Sequence, residues 1–161
     1  MTQAPEQPQA GADKPVFHIQ RIYTKDISFE SPQSPHIFRQ DWKPEVKLDV
    51  ITDHIGLSDE TFEVQLTLTA TAIMRDQSTA FICEVKQAGI FSISGLSEAE
   101  MESTLGSYCP NVLYPYAREA ITSLVIRGSF PQLNLGPINF DSILAAKKQK
   151  AMATESEQTA S

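Results

Sequence analysis

Between residues 17 and 94, hydrophobic and polar positions alternate with the period of a β-strand, whose successive side chains point to opposite faces. The clearest stretch is TFEVQLTLTATAIM: Phe62, Val64, Leu66 and Leu68 share one face, and Glu63, Gln65, Thr67 and Thr69 share the other. PEVKLDVIT brings Val46, Leu48 and Val50 together, and TAFICEVKQAGIFSI sets Phe81, Cys83 and Val85 against Ile82, Glu84 and Lys86. In FHIQRIYTKDISFE only the second half alternates, with Asp26, Ser28 and Glu30 on one side and Ile27 and Phe29 on the other. Strands that are apolar on one face alone belong to an antiparallel sheet covered on one side. Four strands are therefore predicted. The first two are joined by SPQSPHIFRQDWKP, where Pro32, Pro35 and Pro44 bracket Phe38 and Trp42 and exclude a strand. Aromatics in such a loop have two readings: Trp42 caps the edge of the core, or the pair lines a functional surface.

From Leu96 the period changes to that of helices. LSEAEMESTLGSY carries Ser97 with Glu100 three residues on, the capping-box pattern that opens a short helix. NVLYPYAREAITSLVIRG continues helically to Gly128, a candidate C-cap. Leu113, Ala117, Ala120, Ile121 and Leu124 form one stripe, while Val112, Tyr114, Tyr116, Val125 and Ile126 lie mostly off it. A helix apolar on more than one face must be buried on more than one face, and in a short chain a second subunit most easily supplies the extra cover. FPQLNLGPINFDSILAAKKQK is a Pro-containing loop leading into an amphipathic helix with Phe140, Ile143 and Leu144 inward. Residues 1–15 and 147–161 hold too little apolar surface to offset their ordering entropy and read as disordered tails around one domain, 16–146.

Composition narrows the function. The chain has 161 residues and 41% hydrophobic content, which suits one globular domain. A formal net charge of -7 argues against a nucleic-acid-binding surface and leaves room for a basic protein partner. The two cysteines make no disulfide framework. The N-terminus has no signal-peptide pattern, and the sequence has no apolar run long enough to span a membrane, so a cytoplasmic location without membrane insertion is expected. Phosphate-cradling glycine motifs are absent, and His18, His36 and His54 lack partners at metal-ligand spacing, so no cofactor or metal is expected. Cys109, in SYCPNVLYPYAR, is the strongest candidate nucleophile. A catalytic thiol needs a base and an electropositive setting, yet the C-terminal half contains no histidine and Arg118 is followed at once by Glu119. Cys83 alternates with core residues. The chain therefore reads as a non-enzyme. The outward sheet face gathers Asp26, Glu30, Glu63 and Glu84 around Ile82, which is either a merely solvated surface or an acidic platform attracting a basic partner with salt-dependent affinity.

The runs IQRIYTKDISFESPQSPHIF, DWKPEVKLD, CEVKQAGIFSI, LGSYCPNVLYPYAREAITSLV and RGSFPQLNLGPINFD closely resemble the SecB family of bacterial protein-export chaperones, from about residue 17 to 142. The resemblance implies an α+β protomer whose four-stranded antiparallel sheet has one face covered by helices, assembled as a homotetramer, a dimer of dimers. It implies an ATP-independent holdase that keeps unfolded precursor proteins translocation-competent and delivers them to the motor SecA. By the same resemblance Asp26, Glu30, Ile82 and Glu84 contact the basic, zinc-bearing C-terminal tail of SecA, the zinc being SecA's own. Phe38, Trp42, Val46 and Leu48 are candidates for the client groove, and Cys109, Tyr114, Tyr116 and Arg118 for the subunit contact. Two alternatives are a SecB-like chaperone of a toxin–antitoxin pair and, in another class, a small-molecule-binding enzyme.

Overall fold

The computed structural model describes residues 14–160. Of the tail expected over residues 1–15, all but Lys14 and Pro15 lies outside that range. Four strands, β1 (Val16–Glu30), β2 (Glu45–Ser58), β3 (Thr61–Ile73) and β4 (Thr79–Ser94), form one antiparallel sheet in the order β1-β4-β3-β2. Helices α1 (Glu98–Ser103), α2 (Cys109–Arg127) and α3 (Phe140–Thr159) follow. The chain is thus α+β, with helices on one face of an antiparallel sheet, as the alternation predicts.

The strand order explains the proline-rich connection. β1 and β2 occupy opposite edges of the sheet, so residues 31–44 must travel about three strand spacings, roughly 14 Å, to join them. Ile37, in a single 3-10 turn at His36–Arg39, anchors the crossing in the core. β1 alternates only in its second half because it carries two bulges, with Gln20 and Lys25 as the extra residues opposite β4. Each bulge resets which residues face the core.

α2 lies across β3 and β4. Leu113, Ala117, Ile121 and Val125, four residues apart, are fully buried with Val64, Leu66, Leu68, Phe81, Cys83 and Val85 of the strands. Each such Leu, Ile or Val contributes about 1.5–3 kcal/mol of burial energy. Ser97 caps α1 as its spacing predicts: Ser97 Oγ accepts from the Glu100 N–H at 3.3 Å, and the Glu100 carboxylate accepts from the Ser97 N–H at 2.8 Å. A π-helical turn, Thr104–Tyr108, joins α1 to α2. α3 docks on that turn. Phe140 is buried edge-on to Tyr114, Ser107 donates to Asp141, Lys148 pairs with Glu102 at 3.0 Å, and Lys147 Nζ donates to the Thr52 carbonyl of β2 at 2.8 Å.

One expectation needs correction. The domain does not end at residue 146, because α3 continues to Thr159 with its last turns exposed. Ala, Lys, Gln, Glu and Met in that segment carry high intrinsic helix propensity, so the helix continues without a core to pack on. Gly128 caps the C-terminus of α2 as expected, with φ −74°, and the left-handed residue is its neighbour Ser129, φ 64°. Gly128 is required for a different reason: a Cβ there would press into the Phe29 ring and lie 3.0 Å from Phe130. Gly128→Ala is therefore expected to cost about 1–3 kcal/mol through overpacking, a fall of roughly 3–10 °C in Tm for a domain of this size. Gly136→Ala, with nothing within 4 Å of the added Cβ, should leave the calorimetric transition near its wild-type position.

Candidate functional site: an apolar groove and an acidic sheet face

The first surface lies beside β2, on the side of the sheet that carries the helices. α2 covers β3 and β4 and leaves the inward face of β2 incompletely roofed, so Val46 is 39% exposed while Leu48 and Val50 are half-buried. The crossing segment closes one end of this track. Its Trp42 stacks against Phe81 with ring centroids 6.4 Å apart and meets Phe130 at 5.2 Å, while Phe38, 50% exposed, meets Phe130 at 5.3 Å. Of the four residues expected to line a groove, Phe38 and Trp42 join this aromatic cluster, while Val46 lies in the row that runs through Ala72 to Phe81 and Leu48 in the row that runs through Ala70 to Cys83. Trp42 caps the edge of the core, the first of its two readings. The sequence reading missed the cluster's centre, Phe130, which also packs on Phe81 at 5.1 Å and Phe29 at 6.3 Å. Only its aromatic character, just beyond the α2 terminus, could have suggested it. At the far end, Val50, Thr52, Ile143, Ala146, Lys147 and Lys150 line a cavity of about 270 Å³ between β2 and α3.

The second surface is the opposite face of the sheet. Glu30 stands across from Ile82, Ser28 across from Glu84, and Asp26 across from Lys86, three successive rows shared by β1 and β4. Cβ atoms across such rows are about 4.5–5.5 Å apart, so Asp26, Glu30, Ile82 and Glu84 form one continuous patch. Thr69 of β3 donates to Glu84 at 3.1 Å. Glu63 does not join the platform as the alternation suggested. It is only 8% exposed and holds hydrogen bonds from Tyr23, from Lys25 at 3.1 Å and from Gln65 at 2.7 Å.

The third group, expected at a subunit contact, is divided by the structure. Cys109 is fully buried and Tyr114 nearly so, both within the protomer's own core, with Tyr114 donating to the Gly136 carbonyl. Neither is available to a partner, which corrects their assignment. Tyr116, 51% exposed, and Arg118 do face outward, with Arg118 also reaching 5.3 Å over the Tyr114 ring. Burial raises the Cys109 thiol to about 12 and the Cys83 thiol to about 11, so both are protonated and inert near neutral pH. The exposed Ile19 and Ile27 of β1 were also missed as a pair, because the bulges hide their common face from a simple alternation.

Among the described residues, no cluster of three or more His, Cys, Asp or Glu side chains is placed to hold a metal, and no helix is long and apolar enough to cross a membrane. A structure of a SecB-like chaperone from Mycobacterium tuberculosis, solved with a peptide of an antitoxin, is similar at 17% identity, covering 76% of this chain and 90% of that one with a TM-score of 0.64. A protein of unknown function from Streptococcus agalactiae matches at 11% identity over 77% of this chain and 99% of that one, with a TM-score of 0.39. Residues 10–151 match the family described as preprotein translocase subunit SecB. The chain therefore belongs to the SecB family of chaperones.

Proposed function

We propose that this protein is an ATP-independent cytoplasmic holdase of protein export, which keeps unfolded precursors translocation-competent and delivers them to SecA. The observation that supports this reading is the separation of two surfaces on opposite faces of one sheet. The groove around Phe38, Trp42, Val46 and Leu48 offers apolar and aromatic side chains and tolerates sequence variety, which suits extended client segments. The patch of Asp26, Glu30, Ile82 and Glu84 offers negative charge around one apolar contact, which suits a basic tail carrying its own zinc. A client and SecA then occupy different faces and need not compete. Binding the unfolded chain withdraws it from folding and aggregation by mass action. The exposed Tyr116, Arg118 and Ile126 on the outer side of α2 supply a contact for assembly as a dimer of dimers, and grooves repeated over four protomers add affinity through multivalency.

A second reading follows from the similar M. tuberculosis chaperone, which holds an antitoxin peptide. Here the same groove would receive an antitoxin segment, and the acidic face would have no SecA to meet.

The purified protein should suppress aggregation of an unfolded, slow-folding precursor without nucleotide, measured by turbidity. Phe38→Ser with Trp42→Ser should weaken that holding by about tenfold or more, as losing paired aromatic anchors does, while SecA binding by calorimetry stays intact. Asp26→Lys with Glu84→Lys should abolish SecA binding and spare holding. Loss of both activities in either variant would contradict the two-surface reading, and a wild-type protein that holds an antitoxin but never binds SecA would favour the second. Light scattering should give about four protomers, and Tyr116→Asp should lower that mass without unfolding the chain.

A further inference from the structure

Glu63 sits on the sheet face that no helix covers, yet it is 8% exposed. Its carboxylate accepts hydrogen bonds from the Tyr23 hydroxyl, from Lys25 Nζ at 3.1 and 3.3 Å, and from Gln65 Nε2 at 2.7 Å. Tyr23 and Lys25 belong to β1, whereas Glu63 belongs to β3, with β4 between them. The two side chains must therefore pass over β4 to span two strand spacings, about 10 Å. β4 makes room with Ala88, a small, fully buried residue directly across from Tyr23. Burial by itself would raise the Glu63 pKa, but the bonds from Tyr23, Lys25 and Gln65 and the charge of Lys25 outweigh it and hold the carboxyl below its ordinary value. Tyr23 is pushed up to about 12, first by burial and then by the same carboxylate. The cluster at neutral pH is an ionised carboxylate gripped by a phenol and an ammonium.

This grip brackets the second β1 bulge. β1 advances from Thr24 to Asp26 while β4 advances only from Gln87 to Lys86, so Lys25 is the extra residue. At a bulge the alternation is broken, and here Asp26, immediately after the extra residue, opens the outward row that continues through Ser28 and Glu30. Lys25, next in the chain to Asp26, would neutralise that row if its ammonium turned toward it. Its salt bridge to Glu63 turns it the other way.

We infer that Glu63 is a positioning residue for the acidic face: through Tyr23 and Lys25 it fixes the β1 bulge that aims Asp26 into the patch with Glu30, Ile82 and Glu84, and keeps the Lys25 ammonium out of it. The inference rests on the proposed role of that patch in binding a basic partner.

Two substitutions separate positioning from the simple electric field. Lys25→Met removes a positive charge beside the patch, so the field alone would tighten a basic partner. Tyr23→Phe changes no charge, so the field alone would do nothing. Positioning requires both variants to weaken binding of the zinc-loaded SecA tail peptide, by about threefold to tenfold in calorimetry, the range expected when one coupled contact is lost. Both should also speed amide hydrogen exchange over residues 24–30, while turbidity shows client holding unchanged. Tighter binding by Lys25→Met, unchanged binding by Tyr23→Phe, or wild-type exchange over 24–30 in both would each overturn the inference. Glu84→Lys serves as the control for the underlying reading. If it too binds the peptide like wild type, that reading fails, and the clamp stands or falls on the amide exchange alone.

Discussion

An α-helix with its side chains is about 10 Å across, and strands lie just under 5 Å apart, so one helix can roof about two strands. This sheet is four strands wide. α2 settles over the central pair, β3 and β4, where it buries Leu113, Ala117, Ile121 and Val125. Everything at the margins is left to other devices. Along β2 the remainder is a half-open apolar track, closed at one end by the crossing segment and at the other by α3. Along β1 it is the exposed Ile19 and Ile27. The face turned away from the helices has no roof at all. The two surfaces described above are what a single-helix roof leaves uncovered.

The strand order then decides which side chains those margins carry. Because β1 and β2 lie at opposite edges, the segment joining them must cross the end of the sheet, and it delivers Phe38 and Trp42 beside Val46 and Leu48. Phe130, arriving from the end of α2, completes the aromatic cluster, and Gly128 allows that arrival by leaving space for the rings of Phe29 and Phe130. The groove is thus continuous with the core. Phe38 packs on Phe130, and Trp42 packs on Phe81 and Phe130, so the crossing segment is anchored by its aromatic side chains. The acidic face depends on register in the same way. One extra residue in β1 decides that Asp26 and Glu30 point outward and that Ile27 and Phe29 point toward the helices.

Much of this was legible in the order of residues, and what was not has particular causes. From Phe81 to Ser92 of β4 and Thr61 to Ala72 of β3 the pairing has no register shift, so the inward and outward faces there follow the alternation, Cys83 and Glu84 included. In β1 it is interrupted at Gln20 and Lys25, and the shared face of Ile19 and Ile27 escaped notice. Glu63 alternates like its neighbours and so was counted among the exposed acids, yet side chains from a strand that is distant in sequence fold over it. Cys109 and Tyr114 were expected at a subunit contact because their helix is apolar on more than one side. Cys109 is instead part of the protomer's own core, and Tyr114 is covered by Phe140 and bonded to the Gly136 carbonyl. The α3 extension was read as tail because it lacks apolar residues, although helix propensity alone carries it to Thr159.

The strand periods, the capped helix start and, through its long matching runs, the family could be read from the order of residues. These are local or contiguous properties, set by neighbours in the chain. That Phe130 sits between Phe38, Trp42 and Phe81, that Glu63 grips two β1 residues across an intervening strand, and that Cys109 is sealed inside its own protomer emerges from the folded arrangement alone. Each of these joins segments far apart in sequence, and which of them meet is fixed by strand order and register, which no single stretch of residues encodes.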